Sequence, residues 1–327
     1  MSSVLTQKNG DILVSVYCMT YNHADTVSKT IESILSQKTD FAFELIIHDD
    51  ASTDGTAEIV REYEKNHPDI IRAILQTENQ YRKCNIYKQH MNPAAKGRYV
   101  AVCEGDDYWT DDLKLQKQLD YMIANSDCTM CFHAVQQLSG DGELTVVRPL
   151  KQSGKVFTQQ IIKRGGLFCP TVSLVFRRDV VENWPQFREM ADVYDYPLQI
   201  LSSLMGSVFY IDEVMGVYRF AVKDSWTAQR QNVTDYTHLE NETEWVNKLD
   251  EFTNGRYKDA INYHLAHLYL TEYRKNFDKS VKLKAKGYIR SLPLKNRFVF
   301  NTVFLMFSVL GKRGNAVYKK IKKFLLK

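Results

Sequence analysis

Four apolar, β-rich runs separated by helical segments fill the first third of the chain and constrain its fold more than any other feature. They are Ile12–Cys18, Phe43–His48, Ile70–Leu75 and Tyr99–Cys103. Runs that are continuously apolar, rather than alternating, suit strands buried on both faces, and parallel strands need crossover helices between them. Helical spacing fills the gaps: Asp25–Gln37, with Val27, Ile31, Ile34 and Leu35 on one face; Thr56–His67, with Asp54 as N-cap and Pro68 beyond its end; and Ile86–Ala95. Asp111–Asn125 adds a strong amphipathic helix through Leu113, Leu115, Leu119, Tyr121 and Met122. The pattern predicts an α/β fold with a mostly parallel sheet flanked by helices. After Cys128–Val135 it loosens into expected strands at Val172–Phe176, Val208–Ile211 and Met215–Phe220, and a helix at Tyr196–Met205. From about residue 234 the periodicity is helical, so the expected division is an α/β domain over 1–230 and a helical region over 231–327.

Composition narrows the class further. With 44% hydrophobic and 25% charged residues in 327, 15 Gly and 7 Pro, the chain is neither collagen-like nor disordered. Six irregularly placed cysteines suit a reducing compartment better than a disulfide framework. The N-terminal residues lack a basic stretch leading into an apolar core, and no run reaches the roughly 18 apolar residues of a spanning helix. The expected location is the cytoplasm. The formal net charge of +4 hides an asymmetry: residues 271–327 carry 16 Lys and Arg against 2 Asp and Glu, leaving 27 against 37 in residues 1–270.

In open parallel sheets ligands bind beyond the carboxyl ends of the strands. Thr20-Tyr21-Asn22 follows the first run, His48-Asp49-Asp50-Ala51-Ser52-Thr53-Asp54-Gly55-Thr56 the second, and Glu104-Gly105-Asp106-Asp107-Tyr108-Trp109 the fourth. No Gly-rich phosphate cradle of the dinucleotide or P-loop kind occurs. The strand ends concentrate carboxylates instead, which repel one another unless a cation lies among them. A hard divalent ion, Mg²⁺ or Mn²⁺, bridging to a diphosphate meets that demand. The alternative for either turn is local: Asp50, Ser52 and Asp54 cap a helix, and Glu104–Asp107 is a solvated turn.

The runs VSVYCMTYN, ELIIHDDASTDGT and GRYVAVCEGDDYWTDDLKLQKQLDYM, in this order and spacing, resemble the family 2 glycosyltransferases, which have the GT-A fold. The resemblance extends over about residues 12–226 and includes Asp195-Tyr196-Pro197-Leu198 and Asp212–Arg219, which look like the family's acceptor-side region. It implies an inverting, metal-dependent transfer of a sugar from a nucleotide diphosphate, most often a UDP-sugar, to a hydroxyl of a glycan or lipid-linked acceptor. Cell-surface polysaccharide synthesis, of capsule or lipopolysaccharide, is the implied setting. By the same resemblance Thr20, Tyr21 and Asn22 line the nucleotide pocket, and Asp50 contacts the base with Asp49 and Ser52 supporting it. Glu104-Gly105-Asp106 stands where the family has its DxD motif, with Asp106 as main metal ligand, Asp107 as second candidate and Glu104 in place of the first Asp. Asp195 matches the general base, with Asp192 as near competitor, and Arg219 faces the diphosphate. Ala221 stands where many relatives carry a metal-ligating His.

The rivals are a catalytically inactive GT-A-like module and a sugar nucleotidyltransferase. The intact set Asp50, Asp106, Asp195 and Arg219 disfavours the first, and the absence of a Gly-rich basic loop at Met19–His23 the second. Trp109 and Trp226 are candidates for stacking on a sugar; His133 is either core or pocket. Cys128 and Cys131 form a CxxC without a second pair, which points to core cysteines. The QxxRW motif and spanning helices of processive synthases are absent, favouring single additions. Phe298–Leu310 is a mostly apolar run, and Val317, Ile321, Phe324 and Leu325 share one face of a lysine-rich segment, Ala316–Lys327. Residues 295–327 thus suggest peripheral contact with an anionic membrane surface at the inner face of the cell membrane. Lysines without interleaved aromatics disfavour nucleic acid.

Overall fold

The computed structural model describes residues 11–81, 83–220 and 236–310. The described chain divides into two compact units. One is drawn from residues 11–158, 166–184 and 193–220, the other from 159–165, 185–192 and 236–310. The second thus takes two short segments from before residue 193, a division that periodicity does not reveal.

The strands are β1 (Ile12–Thr20), β2 (Ala42–Asp49), β3 (Ile71–Leu75), β4 (Tyr99–Val102), β5 (Tyr108–Trp109), β6 (Cys128–Ser139), β7 (Leu144–Val147), β8 (Gly154–Val156), β9 (Val175–Arg177) and β10 (Ser207–Phe220). They form one mixed sheet in the order β3-β2-β1-β4-β9-β6-β10-β5, with β7 beside β6 and β8 beside β10. Pairing is parallel throughout β3-β2-β1-β4 and between β6 and β10, and β9 runs antiparallel between the two blocks. The helices of this unit include α1 (Val27–Leu35), α2 (Thr56–Asn66), α3 (Lys114–Ala124), α4 (Thr158–Arg164, of which only Thr158 belongs here) and α5 (Asp195–Met205). Val14, Val16, Leu45, Ile47, Ile31, Ile34, Leu115 and Leu119 are fully buried in its core.

Some elements differ from expectation for identifiable reasons. Ile86–Ala95 is a wide π-helical turn, Tyr87–Met91, running into a short Asn92–Ala94 turn, because Pro93 cannot donate to the preceding carbonyl ladder. Val172–Phe176 begins as a tight turn over Thr171–Ser173, where the Ser173 amide and hydroxyl both donate to the Pro170 carbonyl, and only then enters β9. Val208–Ile211 and Met215–Phe220 are one strand, β10. Register shifts between Ile211 and Val217 absorb the polar Asp212-Glu213 pair. The N-cap of α2 is Gly55, in the left-handed region at φ 99°, not Asp54. Asp54 still serves that end, accepting from the Thr56 amide at 3.0 Å and the Ala24 amide at 2.9 Å.

Gly97 shows how tightly the sheet is seated. A Cβ there would collide with the backbone of Ser15 and lie 2.6 Å from the Val14 carbonyl carbon. Gly97→Ala is expected to destabilise the protein by about 3 kcal/mol, read from the denaturant midpoint, because backbone cannot move aside as a side-chain tip can. An unchanged midpoint would mean that β1 and the segment before β4 separate freely.

The second unit carries α6 (Thr237–Phe252), α7 (Lys258–Asn276), α8 (Lys279–Arg290) and α9 (Leu294–Leu310). Helices α8 and α9 both pack on α7 and on each other. The helix α7 ends at Phe277 in the left-handed region (φ 56°), and Asp278 caps α8 by accepting from the Ser280 and Val281 amides. None of the described helices is long and apolar enough to cross a membrane.

Candidate functional site

Parallel pairing of β2-β1-β4 brings three strand ends together. Thr20 lies opposite Asp49 in register, the Asp50 amide donates to the Thr20 carbonyl at 3.0 Å, and the Cys103 amide to the Tyr17 carbonyl at 2.9 Å. The loops after these strands are therefore neighbours. Asp49 is fully buried and organises the first two: one oxygen accepts from Thr20 Oγ1 at 2.9 Å and Ser52 Oγ, the other from the Ser52 amide at 3.0 Å. Ser52 Oγ in turn accepts from the Asn22 amide at 2.8 Å, and Asn22 Oδ1 from the Thr53 amide at 2.9 Å. Asn22 and Ala51 both adopt left-handed backbone, φ 56° and 61°, a conformation Asn tolerates better than most residues. Tyr21, with 47% of its surface exposed, projects from this loop.

Asp50 is also buried, and its carboxylate is engaged. Its oxygens accept from the Gln80 amide at 2.6 Å and the Tyr81 amide at 3.1 Å, and its carbonyl from Asn79 Nδ2. It ties down the segment after β3, a link invisible in sequence.

The acidic turn sits on the end of β1 and the start of α1. The Gly105 amide donates to the Met19 carbonyl at 2.8 Å, and its carbonyl accepts from Thr26 and Thr30 hydroxyls at 2.8 and 3.0 Å. Thr30 Oγ1 also lies 2.6 Å from the Asp107 carbonyl. A Cβ at Gly105 would meet Thr20 Cγ2 at 2.5 Å and His23 Nδ1 at 2.8 Å, so only glycine lets the turn approach this closely. Thr26 and Thr30 carry no charge signal in the sequence, and what Gly105 does within the Glu104-Gly105-Asp106 motif shows only in this packing.

Antiparallel pairing of β5 with β10 sets Val217 opposite Tyr108 and delivers Arg219 to the same turn. The Arg219 amide donates to Asp107 Oδ1 at 2.8 Å, its guanidinium donates to the Asp106 carbonyl, and it lies 5.1 Å from the Tyr108 ring centroid. Lys29 Nζ lies 3.6 Å from that centroid.

Glu104, Asp106 and Asp107 place carboxylate oxygens within 4.8 Å of one another. Burial, then the charges of Asp106 and Asp195, push the Glu104 carboxyl up to about 8. Burial, then Asp106 and Glu104, raise Asp107 well above the ordinary range, against the opposing pull of Arg219. Asp107 is fully buried, and its Oδ2 has no hydrogen-bond partner. An orphaned buried carboxylate oxygen beside two further carboxylates fits a hard divalent cation, and an all-oxygen donor set fits Mg²⁺ or Mn²⁺.

Asp195 opens α5. Its Oδ2 accepts from Thr171 Oγ1 at 2.9 Å and its Oδ1 from its neighbour's amide, Tyr196, at 2.8 Å. Burial raises its carboxyl, partly offset by those hydrogen bonds. It is close enough to Glu104 to raise that group too, so two carboxylates about 90 residues apart in sequence share one electrostatic environment. Asp192, the neighbouring candidate, is exposed.

Trp109 is not available for stacking. It is 4% exposed, its indole N–H donates to the Val172 carbonyl at 3.0 Å, and the buried Lys114 ammonium lies 3.9 Å from its ring centroid. Burial draws the Lys114 amine down to about 7. His133 is likewise fully buried, and burial is the first cause of its lowered pKa, about 3. Cys128 and Cys131 are buried, and both are free thiols. Trp226 and Ala221 lie outside the described residues.

The model of the family described as glycosyl transferase family 2 matches residues 15–184. The chain belongs to glycosyl transferase family 2. All three strand-end loops fall inside the matched region, whereas Asp195 and Arg219 lie beyond it. An uncharacterized protein of Mycobacterium tuberculosis is 34% identical over 217 residues, covering 65% of this chain and 60% of that protein. The match thus spans about three-fifths of the length of that relative. The Escherichia coli UDP-Glc:alpha-D-GlcNAc-diphosphoundecaprenol beta-1,3-glucosyltransferase WfaP is 38% identical over 113 residues, 34% of this chain and 41% of that one. Among solved structures, residues 1–349 of Staphylococcus aureus TarS in complex with UDP-GlcNAc superpose with a TM-score of 0.64 at 14% identity. They cover 87% of this chain and 83% of that one, a likeness that shows the GT-A-type fold.

Proposed function

We propose that this family 2 member is an inverting, metal-dependent glycosyltransferase. Its donor is a nucleotide-diphosphate sugar, most simply a UDP-sugar, and its acceptor a hydroxyl of a glycan or lipid-linked glycan in cell-surface polysaccharide synthesis. The observation that carries this reading is the cluster of Glu104, Asp106 and Asp107 carboxylates beyond the strand ends, with an unpartnered buried Asp107 oxygen and Arg219 bonded to the same turn.

Inversion by a single in-line displacement needs a base at the attacking hydroxyl and neutralisation of charge on the departing diphosphate. Asp195 takes the first role, its carboxylate oriented by Thr171 and the Tyr196 amide so that it can accept the hydroxyl proton. Asp106 and Asp107, with Glu104 beside them, would hold Mg²⁺ or Mn²⁺, which supplies Lewis-acid stabilisation of the leaving diphosphate. Arg219 adds a permanent positive charge at the same turn, suited to phosphate oxygens. Thr20, Tyr21 and Asn22 line the nucleotide side. Asp49 and Ser52 hold that loop in shape, and Asp50, whose oxygens each accept one backbone amide, has the remaining lone pairs for the base. The names of two similar proteins lend support: WfaP is a UDP-glucose enzyme acting on a diphosphoundecaprenol-linked sugar, and the TarS structure holds UDP-GlcNAc.

Calorimetric titration of UDP, GDP and CMP, with and without Mn²⁺, tests the reading. UDP is expected to bind with Mn²⁺-enhanced affinity, and Asp106→Asn to weaken that binding at least tenfold, about 1.4 kcal/mol. A folded protein that binds none of the three nucleotides would instead support an inactive GT-A-like module.

A further inference from the structure

We propose that the outward faces of α8 and α9 dock the protein on an anionic lipid bilayer. The helix α9 is mostly apolar, with Lys295, Asn301 and Thr302 as exposed polar positions. Phe300, Val303 and Phe307 are buried, with Tyr263 edge-on to Phe300 at 5.0 Å and the Arg274 guanidinium 4.5 Å from the Phe307 ring. The opposite face carries Leu294, Phe298 and Leu305, exposed by 80%, 75% and 63%, at helical spacings of four and seven. A helix that serves only as a packed surface element is polar on its outer side, and contiguous apolar exposure marks an interaction surface.

Charge identifies the occupant. Residues 279–310 contain seven Lys and Arg and no Asp or Glu. On α8, Lys279, Leu283, Lys286 and Arg290 fall at i, i+4, i+7 and i+11, all four exposed, Leu283 by 71%. Lys279, Lys286, Arg290 and Lys295 form no ion pair among the described residues, whereas Lys284 pairs with Glu240 and Lys275 with Glu272. Unpaired cations interspersed with exposed Leu and Phe match a surface with anionic headgroups above acyl chains. Nucleic acid would meet the cations but leave the apolar stripe in water, and a second copy of the chain would bring cations against cations.

Co-sedimentation of the full chain with vesicles tests the proposal, using phosphatidylcholine alone or mixed about equally with phosphatidylglycerol. Binding to the mixed vesicles is expected, weakening with salt and falling at least about tenfold on phosphatidylcholine alone. The double variant Phe298→Ser, Leu305→Ser and the triple variant Lys279→Glu, Lys286→Glu, Arg290→Glu should each lose about tenfold or more in partitioning. All these residues are exposed, so both variants should fold, and unchanged UDP titrations would confirm it. The docking proposal and the transferase reading therefore fail independently. Variants that bind as wild type would overturn the proposal and move any membrane contact to other residues, such as 311–327. Self-association of the wild type that the Phe298→Ser, Leu305→Ser variant abolishes, without vesicle binding, would overturn it in favour of a second copy.

Discussion

Asp195→Asn is expected to lower sugar transfer by about 10²–10⁴-fold while UDP affinity stays within about twofold, because positioned proton transfer contributes on that scale. Asn is nearly isosteric, and the Thr171 hydroxyl can reverse its role to accept from the new amide, so the start of α5 should keep its shape. What disappears is the basicity. The pH dependence follows from the direction of the shift: burial raises the Asp195 carboxyl above the ordinary range. The base is therefore competent above that raised value, and the rate should fall as pH drops through it, at a higher pH than an exposed aspartate would give. The Asn variant should lose this acid limb. Single-turnover transfer from a UDP-sugar, measured across pH, checks both parts. Turnover within about tenfold of wild type, with the limb intact, would sink the assignment and turn attention to another acceptor-side group.

Asp107→Asn should separate stability from function. In the cation-free protein Asp107 is a fully buried carboxyl with one oxygen unpartnered, and Glu104 and Asp106 repel it. Asn keeps an oxygen for the Arg219 amide and takes away the repulsion that Glu104 and Asp106 exert on a buried carboxyl, so the metal-free variant should be at least as stable as wild type at pH 8. The same change should abolish the Mn²⁺ enhancement of UDP binding. Glu104 sets the pH dependence, because burial and the neighbouring carboxylates raise its carboxyl from 4.5 to about 8 in the folded protein. A group that holds its proton more tightly when folded stabilises fully below its unfolded value, and that stability is lost as pH rises through the folded one. Metal-free wild type should thus weaken between about pH 5 and 8, and Mn²⁺ should raise its melting temperature more at pH 8 than at pH 6. Thermal unfolding with and without Mn²⁺ checks this. A variant less stable than wild type at pH 8 would mean that the Asp107 carboxylate is already satisfied without a cation.

Much of the fold was legible in the residues because burial on both faces leaves an unambiguous apolar run, as at Val14–Cys18 and Leu45–Ile47. The elements that differed are those where a local rule met a tertiary one. Pro93 split the end of the expected helix Ile86–Ala95 into a short turn, Pro170 led the expected strand Val172–Phe176 through a tight turn, and β10 carried on past Asp212-Glu213, unpaired in the ladder, through register shifts against β6. Trp109 follows directly on the acidic turn, yet the two-residue strand β5 turns it into the core.

The α/β class, the family and the carboxylates at successive strand ends are legible in the residues alone, because each is written within one loop or one hydrophobic period. Packing alone revealed that a Cβ at Gly105 would press on Thr20 and His23, that the Asp50 oxygens accept from the segment after β3, and that Arg219 bonds the acidic turn from a strand about a hundred residues away. The physical reason is range. Hydrophobic periodicity is a property of neighbours along the chain, whereas close backbone approach and charge coupling depend on how β1, β4, β10 and α5 are brought together by the sheet.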